Sequence, residues 1–475
     1  MKRHHLVGAV LFAITLAATA AAITIPKINY TDTRLKNGLR VIISSDRAAP
    51  VVSVAVAYNV GSRNERKGRT GFAHLFEHLM FKGSENVADG ELAGLIENNG
   101  GNHNGQTDKD HTLYFEQVPS NQLDMVLFLE ADRMRSPAIT QETVDNQREA
   151  VKEERRLRMD NQPYGKTSEI IGELLFENFA NEHSVIGSMA DLDAASLEDF
   201  ANFFKTYYAP NNAVLAIAGD VDPKIALEKA RKYFEAIPSG PPAPPLDTTE
   251  PAQKEERRTI INDPLARLTL VDIAYQVPGG INPDMDALSA LATVMGSGRS
   301  SRLYDNLVRQ QQVAVQAGAG VVPAKGPTFI YLEGMAGQGK DPAEVEKAID
   351  AEIAKIQTGA IQEWELDKAR NAARRSLAGS LGSSLQRAIL LSRYTVFYND
   401  PGVLNTRYDR VASLTIADLQ RVARQYLVPA NRAVIVTVPA KQAPGPKAGG
   451  LRLPRETAQA AASLAVAQSV KAGAQ

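Results

Sequence analysis

No cysteine occurs among the 475 residues of this sequence, which excludes a disulfide bond and a lipidated cysteine behind a signal peptide. Beyond residue 22 the sequence also lacks an apolar run long enough to span a membrane. Charge is balanced, with 53 Lys and Arg against 54 Asp and Glu, so the composition gives no indication of nucleic-acid binding. The hydrophobic fraction of 44% is enough to build large cores, as expected of a globular protein.

The N-terminus has the pattern of a secretory signal peptide. Two basic residues and two histidines in residues 1–5 precede an apolar, Ala-rich run from Leu6 to Ala22, and cleavage after Ala20 or Ala22 satisfies the small-x-small rule. A membrane anchor is less favoured because the run is short and contains threonines. We therefore expect a signal peptide at 1–22, no stable membrane anchor after its cleavage and a periplasmic location, with secretion as an alternative.

Histidine is scarce, and two of the five histidines beyond the signal peptide form the pattern His74-x-x-Glu77-His78 within an apolar helical stretch at 70–80. At about 100° per residue, the two imidazoles and the carboxylate share one side of a helix. Side chains four residues apart lie one turn above each other, so both imidazoles can reach one metal ion. This is the arrangement that a zinc peptidase needs, with Glu77 beside the metal and free to act on a bound water.

Catalytic zinc usually takes three protein ligands, so a third must come from elsewhere in the chain. The best source is the charged helix predicted at 141–157, which has few apolar positions and several carboxylates after Asp145. Considered alone, each of these carboxylates reads as a solvated helix charge among arginines and lysines. His103 and His111 fall in a predicted hairpin and are interpreted as surface or structural histidines rather than ligands.

The pattern His-x-x-Glu-His with a distal Glu resembles the inverzincin family of pitrilysin, insulin-degrading enzyme and the mitochondrial processing peptidase. The resemblance covers roughly residues 30 to 440 and includes Leu-Lys-Asn-Gly-Leu-Arg-Val at 35–41, Phe-Lys-Gly at 81–83 and Gly-Gly-Asn-His-Asn-Gly-Gln-Thr at 100–107. It implies a zinc metalloendopeptidase with one Zn²⁺ per chain.

Matching the family's run residue by residue selects Glu154 over Glu153 and Glu149 as the third ligand. The resemblance also makes Asn104, on an edge strand, a candidate substrate contact. Gln147 lies two turns before Glu154 on the same helix face, where many relatives carry a second Glu. An amide there lacks the negative charge of a carboxylate, so we expect Gln147, beside the metal ligands and not one of them, to affect metal affinity or pH dependence.

Two segments repeat at a constant offset of 219 residues, which indicates an internal duplication. Each reads as a helix, a turn with proline and a buried strand, running from Ser196 to Ile217 and from Thr415 to Val436. The predicted fold is α+β, with two homologous domains that the family builds as antiparallel β-sheets flanked by helices. We expect a catalytic domain at 23–237, a Pro-rich linker at 238–256, a homologous domain without a metal motif at 257–440 and a disordered Ala/Gln-rich tail at 441–475.

Some halves of family members carry an Arg and a Tyr, seven positions apart, that hold the substrate. At the matching positions this chain has Val308 and Val315, and Arg309 is out of register by one. Family members form a closed chamber from two halves, so we expect a heterodimer with a homologous second subunit that supplies the Arg/Tyr pair. A homodimer is the alternative.

The function expected from the resemblance is endopeptidase cleavage of unfolded peptides inside such a chamber. Glu77 would act as general base on a water bound to zinc, which is held by His74, His78 and Glu154. A peptide substrate would add as a strand to the sheet edge near Asn104. Two alternatives stay open, a maturation protease for one exported precursor and a scaffold or assembly subunit of the same fold.

Overall fold

A computed structural model describes residue 25, residues 27–359 and residues 361–440. The predicted α+β fold with two sheets flanked by helices is confirmed. The predicted signal peptide and the predicted disordered tail lie outside the described residues. Within the described part of the chain, no helix combines the length and the apolarity needed to cross a bilayer.

The first half of the chain forms one sheet and the helices around it. Its strands are β1 (Thr31–Arg34), β2 (Arg40–Ser45), β3 (Val51–Tyr58), β4 (Asn102–Thr107), β5 (Thr112–Pro119) and β6 (Ala213–Gly219). Its helices are α1 (Phe72–Leu79), α2 (Glu91–Asn98), α3 (Leu123–Arg135), α4 (Gln141–Arg155), α5 (Thr167–Leu175), α6 (Phe179–Glu182), α7 (Met189–Asp193), α8 (Leu197–Tyr207) and α9 (Pro223–Phe234).

The second half forms another sheet with its own helices. Its strands are β7 (Arg257–Asp263), β8 (Leu270–Val277), β9 (Ala314–Val321), β10 (Thr328–Ala336) and β11 (Arg432–Pro439). Its helices are α10 (Asp284–Gly296), α11 (Pro342–Thr358), α12 (Glu363–Leu381), α13 (Ser384–Tyr398), α14 (Val403–Ala412) and α15 (Ile416–Tyr426). Between α9 and β7, the Pro-rich segment 238–256 has neither helix nor strand.

The two sheets have related strand orders. The first runs β1-β2-β6-β3-β5-β4 and the second β7-β11-β8-β10-β9. Both are antiparallel except for one parallel pair in each, β2 with β6 and β7 with β11, where the prediction named antiparallel sheets. A parallel pair needs a long connection, and here nearly the whole half-chain connects the two strands. Strand β4 ends the first sheet and β9 ends the second, so each sheet presents a free edge among the described strands.

The repeat offset of 219 residues recurs in the elements themselves. Helix α8 begins at Leu197 and ends at Tyr207, and α15 begins at Ile416 and ends at Tyr426. Short turns with proline at 210–212 and 429–431 then lead into β6 and β11. Ser196 and Thr415 cap the two helices in the same way, each accepting a hydrogen bond from the amide of an Asp at the third helical position. The two halves therefore repeat the same helix–turn–strand unit.

The halves exchange one helix each. Helix α13 of the second half covers the face of the first sheet formed by Ile42, Ala55 and Ala216. Helix α5 of the first half covers the face of the second sheet formed by Ala274 and Ile435. The opposite faces pack on helices of their own half, α1, α3 and α8 on the first sheet and α10, α11 and α15 on the second. The central strands β3, β6, β8 and β11 are thus buried on both sides, which fixes how the two halves sit against each other.

Candidate metal centre

Helix α1 is a short amphipathic helix whose apolar side is fixed in the core. Leu75, Phe76 and Leu79 are fully buried, and Phe76 stacks on Phe204 of α8 with ring centroids 5.9 Å apart. The polar side carries His74 and His78, whose rings lie edge to face with centroids 4.9 Å apart. The predicted placement of both imidazoles on one helix face is therefore what the structure has.

Helix α4 brings the third group from 76 positions further along the chain. It begins after Thr140, whose hydroxyl accepts a hydrogen bond from the amide of Thr143, and its two fully buried side chains are Val144 and Val151. These valines hold one side of the helix against the core. Glu154 comes three positions after Val151, so it lies on nearly the same side and points toward α1.

The three predicted ligands meet at one point. Oε2 of Glu154 lies 3.2 Å from Nε2 of His78 and 3.5 Å from Nε2 of His74. All three donor atoms lie within 4.8 Å of one another. A tetrahedral zinc ion with ligands at 2.0–2.2 Å holds its ligand atoms about 3.3 Å apart. Two imidazoles and one carboxylate at this spacing fit zinc.

The protonation of the imidazoles also suits a metal. Burial and the neighbouring His78 ring lower the pKa of His74 to about 4. Burial likewise lowers the pKa of His78, although Glu154 acts in the opposite direction. Both rings are therefore neutral near pH 7, and a neutral imidazole has the lone pair that a metal ion binds. In both rings the Nε2 atom faces Glu154 and would bind the metal. The other nitrogen of His74, Nδ1, is buried without a hydrogen-bond partner.

Glu77 lies beside this group and is held by the edge strand. Thr107 of β4 donates its hydroxyl to Oε2 of Glu77 over 2.6 Å. Burial raises the pKa of Glu77 to about 7, while the Thr107 hydrogen bond opposes this shift. A Cβ atom on Gly105 would lie 2.9 Å from Oε1 of Glu77, so the strand passes directly against the carboxylate. The site thus places a carboxylate that can exchange a proton near pH 7 next to the ligand set.

Thr107 was not singled out from the sequence, although a signal was present. In β4 the odd-numbered residues face inward, and the even-numbered ones are exposed. Because side chains alternate along a strand, this period of two places Thr107 on the same side as Gly105, toward α1. Arg158 was also missed as a partner, and it pairs with Oε1 of Glu154 at 2.6 Å. Arg158 follows Glu154 by one helical turn.

Asn104 lies on β4 at the free edge of the first sheet, as the resemblance implied. Its side chain is exposed, and its Oδ1 accepts a hydrogen bond from the amide of Gly105 over 2.8 Å. The even-numbered side of β4 therefore faces away from Glu77. The structure brings Asn104 near the site by its strand and not by contact with the three ligand residues.

Gln147 lies two turns before Glu154 on α4 and interacts with the imidazole of His78. This interaction, like the charge of Glu154, favours the protonated form of His78. The side chain next to the ligand His78 is therefore an uncharged amide. The structure places Gln147 where the sequence predicted it.

The remaining histidines and valines considered in the sequence lie apart from the three ligands. His103 is on β4 with its ring 5.5 Å from that of Phe81, and His111 pairs with Asp108 at the end of the β4–β5 hairpin. Val308 is half-buried against the core of the second half. Val315 is 52% exposed, on the edge strand β9.

Two family models match adjacent parts of the chain. "Insulinase (Peptidase family M16)" matches residues 40–187, which include the His-x-x-Glu-His helix and Glu154. "Peptidase M16 inactive domain" matches residues 194–373. The boundary between the two matches falls just before α8.

Similar proteins of known name and structure span nearly the whole chain. The zinc protease PqqE of Helicobacter pylori is 33% identical over 429 residues, which cover 87% of this chain and 93% of that protein. The crystal structure of a protease from Helicobacter pylori superposes with a TM-score of 0.83 at 30% identity, covering 87% of this chain and all of that one. The periplasmic protease PqqL from Escherichia coli shares the fold, with a TM-score of 0.72 at 21% identity. That match covers 87% of this chain but 48% of PqqL.

Proposed function

The chain belongs to the peptidase M16 family, and on this premise we propose that it is a zinc-dependent endopeptidase acting on unfolded peptides. One observation carries the proposal. Oε2 of Glu154 lies 3.2 and 3.5 Å from the Nε2 atoms of His78 and His74, the spacing of ligand atoms around a tetrahedral zinc ion. The name of the Helicobacter pylori relative, a zinc protease, supports the choice of metal.

His74, His78 and Glu154 would hold the ion. When bound, zinc supplies a Lewis acid that polarises a carbonyl and lowers the pKa of water toward about 7. Glu77 would accept the proton of the attacking water and then deliver it to the leaving amine. Thr107 occupies Oε2 of Glu77, which leaves Oε1 to take that proton. The pKa of Glu77, raised to about 7 by burial, suits a group that must both accept and release a proton.

The edge strand β4 would bind the substrate. Its free edge has unpaired backbone groups, and an extended peptide can add to such an edge as a further strand. This places the peptide backbone alongside Gly105 and Thr107, which contact Glu77, and close to the exposed amide of Asn104. Because recognition of this kind uses the main chain, it tolerates many sequences. It also requires the substrate to be unfolded at the cleavage point.

We propose that the active assembly contains a second, homologous half. This chain corresponds in fold to about half of PqqL, since the match covers 48% of that protein. By the family resemblance, Val308 and Val315 stand at the positions of the family's Arg and Tyr. Val315 is exposed on the edge strand β9. A second subunit with the Arg/Tyr pair would complete the chamber, and a homodimer is the alternative. From the N-terminal sequence we further propose that the protein is exported to the periplasm.

Hydrolysis of a mixture of unfolded peptides tests the catalytic role of Glu77. The zinc-loaded protein would be compared with Glu77→Gln and with Glu97→Gln, a matched control on the exposed side of α2. We expect Glu77→Gln to keep its zinc and lose turnover by at least about a hundredfold, with Glu97→Gln unchanged. The assay is repeated with the homologous subunit added. Cleavage by Glu77→Gln at the parent's rate, in an assay where the parent is active, would contradict the proposal, and so would a parent that cleaves no peptide even with the homologous subunit present.

A further inference from the structure

Glu65 holds the N-terminus of the helix that carries His74. The first amides of a helix have no partner within it, and the N-cap of α1 is Gly71, which has no side chain to offer one. Glu65 takes this role from a preceding loop. Its Oε2 accepts a hydrogen bond from the amide of Gly71 over 2.9 Å, and its Oε1 accepts one from Ala73 over 2.8 Å. Ala73 directly precedes His74, so Glu65 fixes the turn from which His74 projects.

His183 pairs with Glu65 beneath this turn. Nδ1 of His183 lies 2.5 Å from the carbonyl oxygen of Phe179, and Nε2 lies 2.8 Å from that of Ser62 and 3.2 Å from Oε2 of Glu65. Carbonyl oxygens only accept hydrogen bonds, so this arrangement favours a proton on both ring nitrogens. Burial opposes the charged ring, but the hydrogen bond to Glu65 and its charge raise the pKa of His183 overall. The Glu65 side chain is fully buried. Burial raises the pKa of Glu65 and the His183 ring opposes this shift, so in this buried pair each partner favours the charged form of the other.

Gly187 touches the same end of α1. Gly71 and Gly187 both have left-handed backbone conformations, with φ of 85° and 77°. A Cβ atom on Gly187 would lie 2.5 Å from Cα and N of Gly71, closer than real Cβ contacts come. The two backbones thus pack directly against each other. Any side chain at 187 would push α1 away.

Arg155 connects this segment to the helix that carries Glu154. Its guanidinium donates to the carbonyl oxygen of Gly187 over 2.7 Å and to the two carboxylate oxygens of Glu169 over 2.6 and 2.9 Å. Arg155 directly follows Glu154 in α4. The segment 183–188 therefore contacts both helices. It meets α1 at its N-cap, Gly71, and it meets α4 at Arg155, the residue next to Glu154.

We propose that the segment 183–188 sets the spacing between His74 and Glu154, with Glu65, His183, Gly187 and Arg155 as positioning residues for the metal. This inference rests on the proposed function, because it assumes that the two helices share a zinc ion. In this account the segment works as a brace. It holds α1 at the Glu65–His183 pair and α4 at Arg155. The ligand atoms of His74 and Glu154 therefore stay about 3.3 Å apart, the spacing of ligand atoms around a tetrahedral zinc ion.

Metal binding by two variants and a matched control tests the brace. Gly187→Ala adds a methyl group against Gly71, whereas Gly68→Ala adds one at a similar φ of 80° with no atom within 4 Å. Glu65→Gln keeps the shape of the side chain and removes its charge. For the parent and each variant, zinc affinity would be measured by competition with a chromophoric chelator. The visible absorption of the Co²⁺-substituted protein would report ligand geometry, and thermal unfolding would report the fold.

We expect Gly187→Ala and Glu65→Gln to fold, to bind zinc at least about tenfold more weakly and to show an altered Co²⁺ spectrum. Gly68→Ala is expected to stay within about twofold of the parent. If the parent binds zinc and both variants match it in affinity and spectrum, the brace is refuted while the proposed function stands. If the parent binds no zinc, the proposed function is refuted, and the brace is refuted with it because it assumes a shared zinc ion. Unfolding of both variants beside a folded Gly68→Ala would also refute the brace, because the segment would then determine global folding instead of ligand spacing.

Discussion

Thr107 of the edge strand donates its hydroxyl to Glu77 of helix α1 over 2.6 Å. This hydrogen bond joins the strand that would bind a peptide to the carboxylate that would act on water. It also opposes burial, which raises the pKa of Glu77. A substrate on β4 and the general base would thus be placed by the same strand.

Replacing Thr107 by valine removes the donor and preserves the shape of the side chain. We predict that Thr107→Val lowers kcat by about tenfold and leaves one zinc per chain, because a hydrogen bond to a charged group contributes ~1.5–3 kcal/mol. Steady-state peptide hydrolysis and metal analysis would measure both quantities. Thr358→Val, on the exposed end of α11, is the control. An unchanged kcat in Thr107→Val would show that the hydroxyl does not position Glu77.

Arg133 of α3 forms a buried charge cluster. Its guanidinium pairs with Glu130 and, at 2.8 Å, with Glu116, and it lies 4.5 Å from the centre of the Tyr114 ring. Arg133→Ala would leave two buried carboxylates without their cation, so we predict a loss of ~3–5 kcal/mol in the free energy of unfolding. Arg135→Ala, at a half-exposed arginine on the same helix, should cost ~1 kcal/mol or less. Denaturant unfolding would measure both, and equal losses would refute the special role of the buried cluster.

Asp272 gives the second sheet a pH-dependent stability. Asp272 of β8 lies directly opposite Glu333 of the neighbouring strand β10. Burial together with the charge of Glu333 raises the pKa of Asp272 to about 7. The unfolded value is about 3.9, so between these two values the folded protein binds the extra proton and loses stability as pH rises. Asp272→Asn stays neutral and should not show this loss.

We therefore compare the free energy of unfolding of Asp272→Asn with that of the parent. We predict that this difference favours the variant by ~2 kcal/mol more near pH 8 than near pH 5. Urea unfolding at both pH values would measure the difference, with Asp409→Asn on an exposed helix face as control. A parent and variant that change in parallel between the two pH values would refute the raised pKa of Asp272.

The part of the site that could be predicted from the sequence is the part that the helical repeat determines. The spacing of His74, Glu77 and His78 alone places three side chains on one face of α1, because a helix repeats every 3.6 residues. Glu154 could not be chosen by spacing, since Glu149 and Glu153 lie on the same helix with similar flanking charges. The resemblance made that choice, and the structure brings Glu154 to the two imidazoles.

Contacts between distant segments were not predictable from local pattern. Glu65 and His183 meet across 118 positions, and neither lies in a periodic element that would point one toward the other. The constant offset of 219 residues showed that the halves are related. It did not show that α5 and α13 cross to the other sheet, because a repeat reveals which elements recur and not which surface each one covers.

Zinc binding by two neighbouring glutamate variants tests the central claim most directly. Glu154 lies at the centre of the ligand set, whereas Glu153, one position earlier on α4, is exposed and pairs with Arg156 at 2.9 Å. Metal analysis and zinc titration would be performed on the parent, Glu153→Ala and Glu154→Ala. We predict one zinc per chain in the parent and Glu153→Ala, and loss of the metal in Glu154→Ala. A parent that binds no zinc, or a Glu154→Ala protein that keeps one zinc with the parent's affinity, would contradict the account.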